Sequence, residues 1–313
     1  MKHQLVDELK QIFANNANRY EAHVKCKPVL EKMASSKEFL FEVIKFNLSN
    51  TVFLQRKRSY STLSMSICES NEFSFVVNIF PPLPDRATDI SFQSIHHHGS
   101  LILCTVAAFG PGYESILFKK GYNIDKTTGE TKMEIEKKYQ NETGKVEFVD
   151  TYQPHIVFYP KNFSATFALW CDAKKTTKDV AKKIGILKKI KKPITWMLQK
   201  LGLSGLMGIN NIEYFDFYVE GNKIIALKER LAYTEEGSNE NFLQNIFCFI
   251  QKVGFKDKQF LESLLQLKST SNIAKKFLSQ LLYEETVSDQ FFEGHLNIPK
   301  VNLKRPDILA IYN

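Results

Sequence analysis

Hydrophobic positions along this chain change their spacing several times. Over residues 1 to 48 they recur every three or four positions, with Leu5, Leu9, Ile12 and Phe13 on one stripe, which predicts amphipathic helix. Ser35 followed by Glu38 reads as a capping box that starts a second helix, and the apolar run from Phe39 to Leu48 continues it. From Thr51 to about Cys171 the texture becomes short alternating or β-branched runs broken by Pro, Gly, Asn and Asp. These runs are 61–68, 73–80, 91–98, 101–109, 115–118, 146–149, 155–159 and 164–170. Eight candidate strands within about 120 residues predict an all-β sandwich or small barrel.

Helical spacing returns over 174–210. A further hairpin is expected at 213–231, where the tight-turn sequence Glu220-Gly221-Asn222 separates two apolar runs. Beyond it, Phe242, Ile246, Phe249, Ile250 and Val253 keep helical spacing up to the stop signal Gly254. Leu261, Leu264, Leu265, Phe277, Leu278, Leu281 and Leu282 place two more helices after that. The expected class is α+β. An N-terminal helical segment covers 1–50, a β-barrel covers 51–173 with 213–231 as its candidate extension, and a mainly helical region covers 174–313.

Composition narrows the class without changing this outline. With 43% hydrophobic and 24% charged residues in 313, the chain is neither a disordered nor a disulfide-scaffold sequence. No run approaches the ~18 apolar residues of a spanning helix, and Asp7 and Glu8 replace a basic-then-apolar leader. The five cysteines, Cys26, Cys68, Cys104, Cys171 and Cys248, include no C-x-x-C pair. That usage fits a reducing cytoplasm better than a disulfide framework or zinc knuckle.

The formal charge of +8 is concentrated in one place. Lys174 to Lys200 holds ten lysines against one acid, Asp179, so this segment outweighs the net charge of the whole chain. Val180, Ile184 and Leu187 form an apolar stripe among them, and Pro193 ends or kinks the helix. Such a helix suits an anionic lipid surface or a nucleic-acid backbone as partner, or simply a solvated face docked on its own domain. The segment lacks arginine, which weakens the nucleic-acid option, because Lys makes no bidentate phosphate or guanine contacts.

Candidate chemistry lies in the histidines. Four of the seven, His96, His97, His98 and His155, fall in the β region. Strand alternation puts His96 and His98 on one face, about 6–7 Å apart, where two imidazoles can share a metal, and turns His97 away. A third ligand must come from a remote strand, and His155 is the one further histidine in the β region. Glu147 and Asp150 are candidates to orient a ligand imidazole, and Tyr159 and Tyr152 are candidate general bases. His3, His23 and His295 receive no functional reading.

The stretch Gln93-Ser94-Ile95-His96-His97-His98, followed by Leu103 and Gly110, resembles the first motif of the cupins in both histidines and in the glycine. Leu103 stands where that motif carries its ligand glutamate. Pro154-His155-Ile156-Val157 with the run 164–170 resembles the second motif, with Tyr159 in place of its asparagine and without its glycine. The resemblance covers about residues 51–171 and implies a cupin-like β-barrel, or jelly roll. A three-histidine site with an apolar residue in the glutamate position resembles the thiol dioxygenase branch, typified by cysteine dioxygenase.

That resemblance implies Fe(II) on His96, His98 and His155, with open positions for O2 and for a small polar thiol or amino-acid-like substrate. It also makes Arg58 or Arg56 a candidate carboxylate clamp and places Tyr159 and Trp170 in the substrate pocket. This sequence departs from the branch at several positions. Cys104 is one residue away from the crosslinking position and should face away, and Ala168 and Trp170 occupy the places of the relay His and Tyr.

Imidazole-only sites also accept Zn, Ni, Cu and Mn, and raw affinity favours copper over iron. Three functional readings follow. The first is an Fe(II)-dependent oxygenase, and the second is a metal-dependent isomerase or lyase of the same fold. The third is a non-enzymatic protein that binds through the segment 174–200.

Overall fold

The computed structural model describes residues 1–82, 94–173, 216–220, 223–227 and 237–290. The chain opens with helices α1 (Gln4–Asn15), α2 (Arg19–Ala34) and α3 (Lys37–Leu48) and the single turn α4 (Thr51–Leu54). Each helix start has a side-chain cap. The Asn18 side chain accepts from the amides of Tyr20 and Glu21 at the start of α2, and Ser36 Oγ accepts from Phe39 N at the start of α3. The N-cap is therefore Ser36, one residue later than the sequence pattern placed it, and Phe39 instead of Glu38 holds the third helical position. Ser35 instead closes α2, with its N–H bonded to Glu31 O.

Ten strands follow: β1 (Leu63–Glu69), β2 (Ser74–Phe80), β3 (Ser94–His96), β4 (Leu101–Phe109), β5 (Glu114–Phe118), β6 (Glu130–Thr131), β7 (Ile135–Gln140), β8 (Glu147–Val149), β9 (His155–Phe158) and β10 (Ser164–Asp172). The later hairpin supplies β11 (Asp216–Glu220) and β12 (Lys223–Leu227). They form two antiparallel sheets, one in the order β1-β2-β10-β4-β8 and the other in the order β6-β12-β11-β3-β9-β5-β7. Helices α5 (Asn239–Lys252), α6 (Lys258–Gln266) and α7 (Asn272–Leu282) complete the described chain, and Gly254 takes a φ of 75° just past α5, as a helix stop requires.

Alternation gives the first sheet two different faces. Met65, Ile67, Phe75, Val77, Ile79, Phe167 and Leu169 point outward and are at most 1% exposed, in one apolar cluster with residues of α1, α2, α3 and α5. The inward residues include Ser64, Asn78, Thr105, Thr166 and Trp170, which line a cavity between the sheets. Burial of the outward face against helices is what fixes register here, because a one-residue slip would exchange the two sets. Gly110 closes β4 at φ 76°, and a Cβ there would lie 2.2 Å from Phe163 O, so the backbone conformation and the close approach both require glycine.

The architecture is the expected α+β one: an antiparallel two-sheet barrel of the jelly-roll kind, with N-terminal helices and a C-terminal helical region packed on one sheet. The hairpin expected over 213–231 joins the second sheet, β11 beside β3 and β12 beside β6. Strands β6 and β7 did not stand out in the sequence. β7 reads Ile-Glu-Lys-Lys-Tyr-Gln, with Tyr139 its one buried side chain, so it lacks the apolar alternation that marks a strand. The basic segment Lys174–Lys200 lies outside the described residues.

Candidate metal centre

Two strands bring three histidines together. His96 on β3 is paired in register with His155 on β9, and β9 is held on its other side by β5, where Leu117 faces His155. His98 follows two residues after His96 and reaches the same face. Ring centroids lie 4.3 Å apart for His96 and His155, 4.5 Å for His98 and His155, and 5.1 Å for His96 and His98. One nitrogen from each ring lies within 4.8 Å of one from each of the others.

The electrostatics suit a cation. His155 is 2% exposed, and its burial lowers its pKa from 6.5 to about 4, so the ring is neutral at pH 7. Its Nδ1–H donates to Gln153 O at 3.0 Å, which leaves Nε2 with the lone pair that a metal takes. His98 packs edge-on against Trp170 at 4.6 Å. Leu103, in the place of the motif glutamate, lines the cavity beside Val149, so among the described residues the cluster that could hold an ion is made of three imidazoles.

The cavity next to these rings has a volume of about 290 Å³. Tyr159 lines it, with its hydroxyl bonded to Ser61 Oγ at 2.7 Å and to Thr62 Oγ1. Trp170 lines it too, whereas Phe167 points into the helix-facing cluster, as alternation requires.

The two arginines expected to clamp a carboxylate are not in this cavity. Arg58 is 1% exposed, and its guanidinium donates to Tyr60 O, Ser61 O, Gln290 O and Asn241 Oδ1. It ties the start of the barrel to α5 and to the chain beyond α7. Arg56 donates to Ser64 O and lies over the Phe53 ring. With Lys57 these two line a separate cleft of about 350 Å³, which shares Tyr60, Thr62 and Ser64 with the first cavity.

Other expected helpers are also placed elsewhere. Glu147 pairs with Lys137 and Lys145, and Asp150 with Lys120 and Tyr20, so neither orients His155. That role falls to the Gln153 carbonyl. Tyr152 packs on His97, which faces away from the triad and accepts from Gly99 N. Cys104 faces the helices, with its sulfur 3.0 Å from His23 Nδ1, while Cys171 Sγ lies 3.0 Å from His23 Nε2. The two sulfurs sit at opposite edges of one ring and do not converge on a common ion.

Sequence reasoning missed two features. Asp216 on β11 is directly opposite His96 in the ladder and is 7% exposed, which puts its carboxylate on the same face as that imidazole. The hairpin was visible in the sequence, but its partner strand was not. The second is a polar row, Ser64, Asn78 and Thr166, in register across β1, β2 and β10 and facing the cavity. In the sequence these residues look like ordinary solvent-facing positions of alternating strands.

No family model matches the sequence, and no curated protein matches it. Solved structures do. A structure of the DMSP lyases RdDddP and RnDddQII shares 13% identity over 34% of this chain and 42% of that chain, at a TM-score of 0.23. A cupin superfamily protein from Desulfitobacterium hafniense shares 11% over 39% of this chain and 86% of its own, at 0.22. Oxalate decarboxylase from Bacillus subtilis shares 10% over 38% of this chain and 27% of its own, at 0.24. The chain spans less than half the length of the lyase and decarboxylase chains that it matches.

Proposed function

We propose that the protein is a mononuclear metal enzyme of the cupin type. His96, His98 and His155 hold one divalent cation, and the adjoining cavity receives a small polar substrate. The observation that carries this reading is the convergence of three imidazoles, one of them held neutral by burial, on the wall of the cavity between the sheets. The donor set fits, since neutral nitrogen ligands suit Fe(II), Zn, Ni, Cu and Mn. A bound ion would supply Lewis acidity to an anionic ligand and, as Fe(II), access to O2.

The chain's own residues do the rest. Gln153 O fixes the His155 ring and its tautomer, and Trp170 limits the His98 ring on one side. Leu103 and Val149 put apolar side chains where the motif has its glutamate, so three neutral imidazoles would leave a bound ion its charge for an anionic substrate. This supports the iron-dependent oxygenase reading. The isomerase or lyase reading is supported by Tyr159, whose hydroxyl, oriented by Ser61 and Thr62, is a proton donor and acceptor on the cavity wall. A thiol or amino-acid substrate loses its expected arginine clamp, because Arg56 and Arg58 point elsewhere.

Metal analysis of anaerobically purified protein tests the proposal. About one ion per chain is expected, and its loss in a folded His98→Ala variant. Wild-type protein that takes up no iron, zinc or manganese on reconstitution overturns it. Oxygen uptake with a panel of small acids and thiols then marks the oxygenase, and turnover without uptake marks the other chemistry.

A further inference from the structure

The inner face of the first sheet is more polar than a barrel interior needs to be. Ser64, Asn78 and Thr166 stand in one cross-strand row, and Thr105 and Tyr113 extend the polar surface on the same cavity wall. Thr105 and Thr166 are 3% and 1% exposed. Buried hydroxyls cost stability unless they are hydrogen-bonded, and what their internal partners leave over is what the floor offers an occupant.

The hydrogen bonds among these residues show what the floor offers. Asn141, which is fully buried, donates from Nδ2 to Thr105 Oγ1 at 3.2 Å and accepts at Oδ1 from Thr166 Oγ1 at 3.2 Å. Tyr113 OH also donates to Thr105 Oγ1, at 3.0 Å. With both of its acceptor positions used, Thr105 has its own O–H left to donate. Thr166, spent as a donor, has lone pairs left to accept. Because Asn141 holds both threonines, one donor and one acceptor are fixed side by side on the cavity wall. That pairing matches a hydroxyl group, which both gives and takes a hydrogen bond. Among the described lining residues none is Asp, Glu, Lys or Arg, and Asp216, opposite His96, is not part of that lining.

We propose that the ligand of this site is a small molecule with one anionic head, taken by the metal, and neutral hydroxyl groups beyond it, taken by the floor of Thr105, Thr166 and Asn78. The volume of about 290 Å³ leaves room for about ten water-sized groups. This inference rests on the metal-centre reading above and adds the substrate class to it. It favours hydroxylated acids over amino acids, whose ammonium would find no described carboxylate in the lining.

The test uses full-length protein loaded with Co(II) and compares 4-hydroxybutyrate with pentanoate, a pair similar in length whose hydroxyl is too far from the carboxylate for easy chelation. Affinity is read by calorimetry, and metal contact by the visible Co(II) spectrum. The hydroxy acid is expected to bind about tenfold tighter, the value of one well-made buried hydrogen bond. In Thr166→Val and Thr105→Val the ratio should fall below threefold with pentanoate affinity kept. Equal binding of the two acids by wild-type protein, binding of neither, or a ratio unchanged in whichever valine variant folds overturns the inference while leaving the metal centre standing. Failure to take up Co(II) at all instead removes the metal-centre reading.

Discussion

At the scale of single residues, burial rather than type decides what a side chain does here. Seven histidines look alike in the sequence, yet His155 and His23 are both buried and both lowered to about 4, one beside two other imidazoles and one between two thiols. The His23 thiol neighbours are themselves pushed up by burial, Cys171 to about 12, so the cluster is neutral. Since the unfolded His23 titrates near 6.5 and the folded one near 4, its share of stability is complete above pH 6.5 and is lost as pH falls towards 4, an amplitude of about 3 kcal/mol. Urea midpoints of wild type and His23→Leu should therefore converge as pH drops from 7 to 4.5, and a constant difference would contradict the burial argument. The histidine triad was legible because two of its members sit at strand spacing. The arginine assignments failed because a guanidinium's destination depends on which carbonyls the fold leaves in its reach, and no local pattern encodes that.

Elements with strong periodicity were legible, while those defined by their neighbours were not. The amphipathic α1 and α5 and the alternating β1 and β2 carry their period on their own residues. β7, charged on its exposed positions, acquires its identity from pairing with β5. The same holds for β11, whose pairing with β3 sets Asp216 opposite His96. A carboxylate in that position orients and strengthens an imidazole ligand. Asp216→Asn is therefore expected to weaken metal affinity about tenfold, within the usual cost of losing such a partner, with an unchanged melting temperature in metal-free protein. Competition against a chromophoric chelator measures the first and a thermal scan the second. Equal affinities would show that the hairpin only covers the sheet edge.

For the whole molecule, a two-layer plan was readable from the succession of helical, alternating and again helical spacing, but which sheet face meets the helices was not. The two faces of β10 differ in the sequence either way, and only tertiary packing says that Thr166 and Trp170 look into a cavity between the sheets. Along this one strand Phe167 and Leu169 support the helix layer, while Thr166 and Trp170 border the site. Phe167→Ala should cost about 3–5 kcal/mol in unfolding free energy. Thr166→Val, which leaves the buried Asn141 Oδ1 without its donor, should cost less, about 1–3 kcal/mol. Comparable losses in both would mean that the two faces are coupled. A strand divided in this way separates two kinds of inheritance: descendants of this chain can drift toward new ligands through the even-numbered positions 166, 168 and 170 while the odd-numbered ones go on specifying the same scaffold.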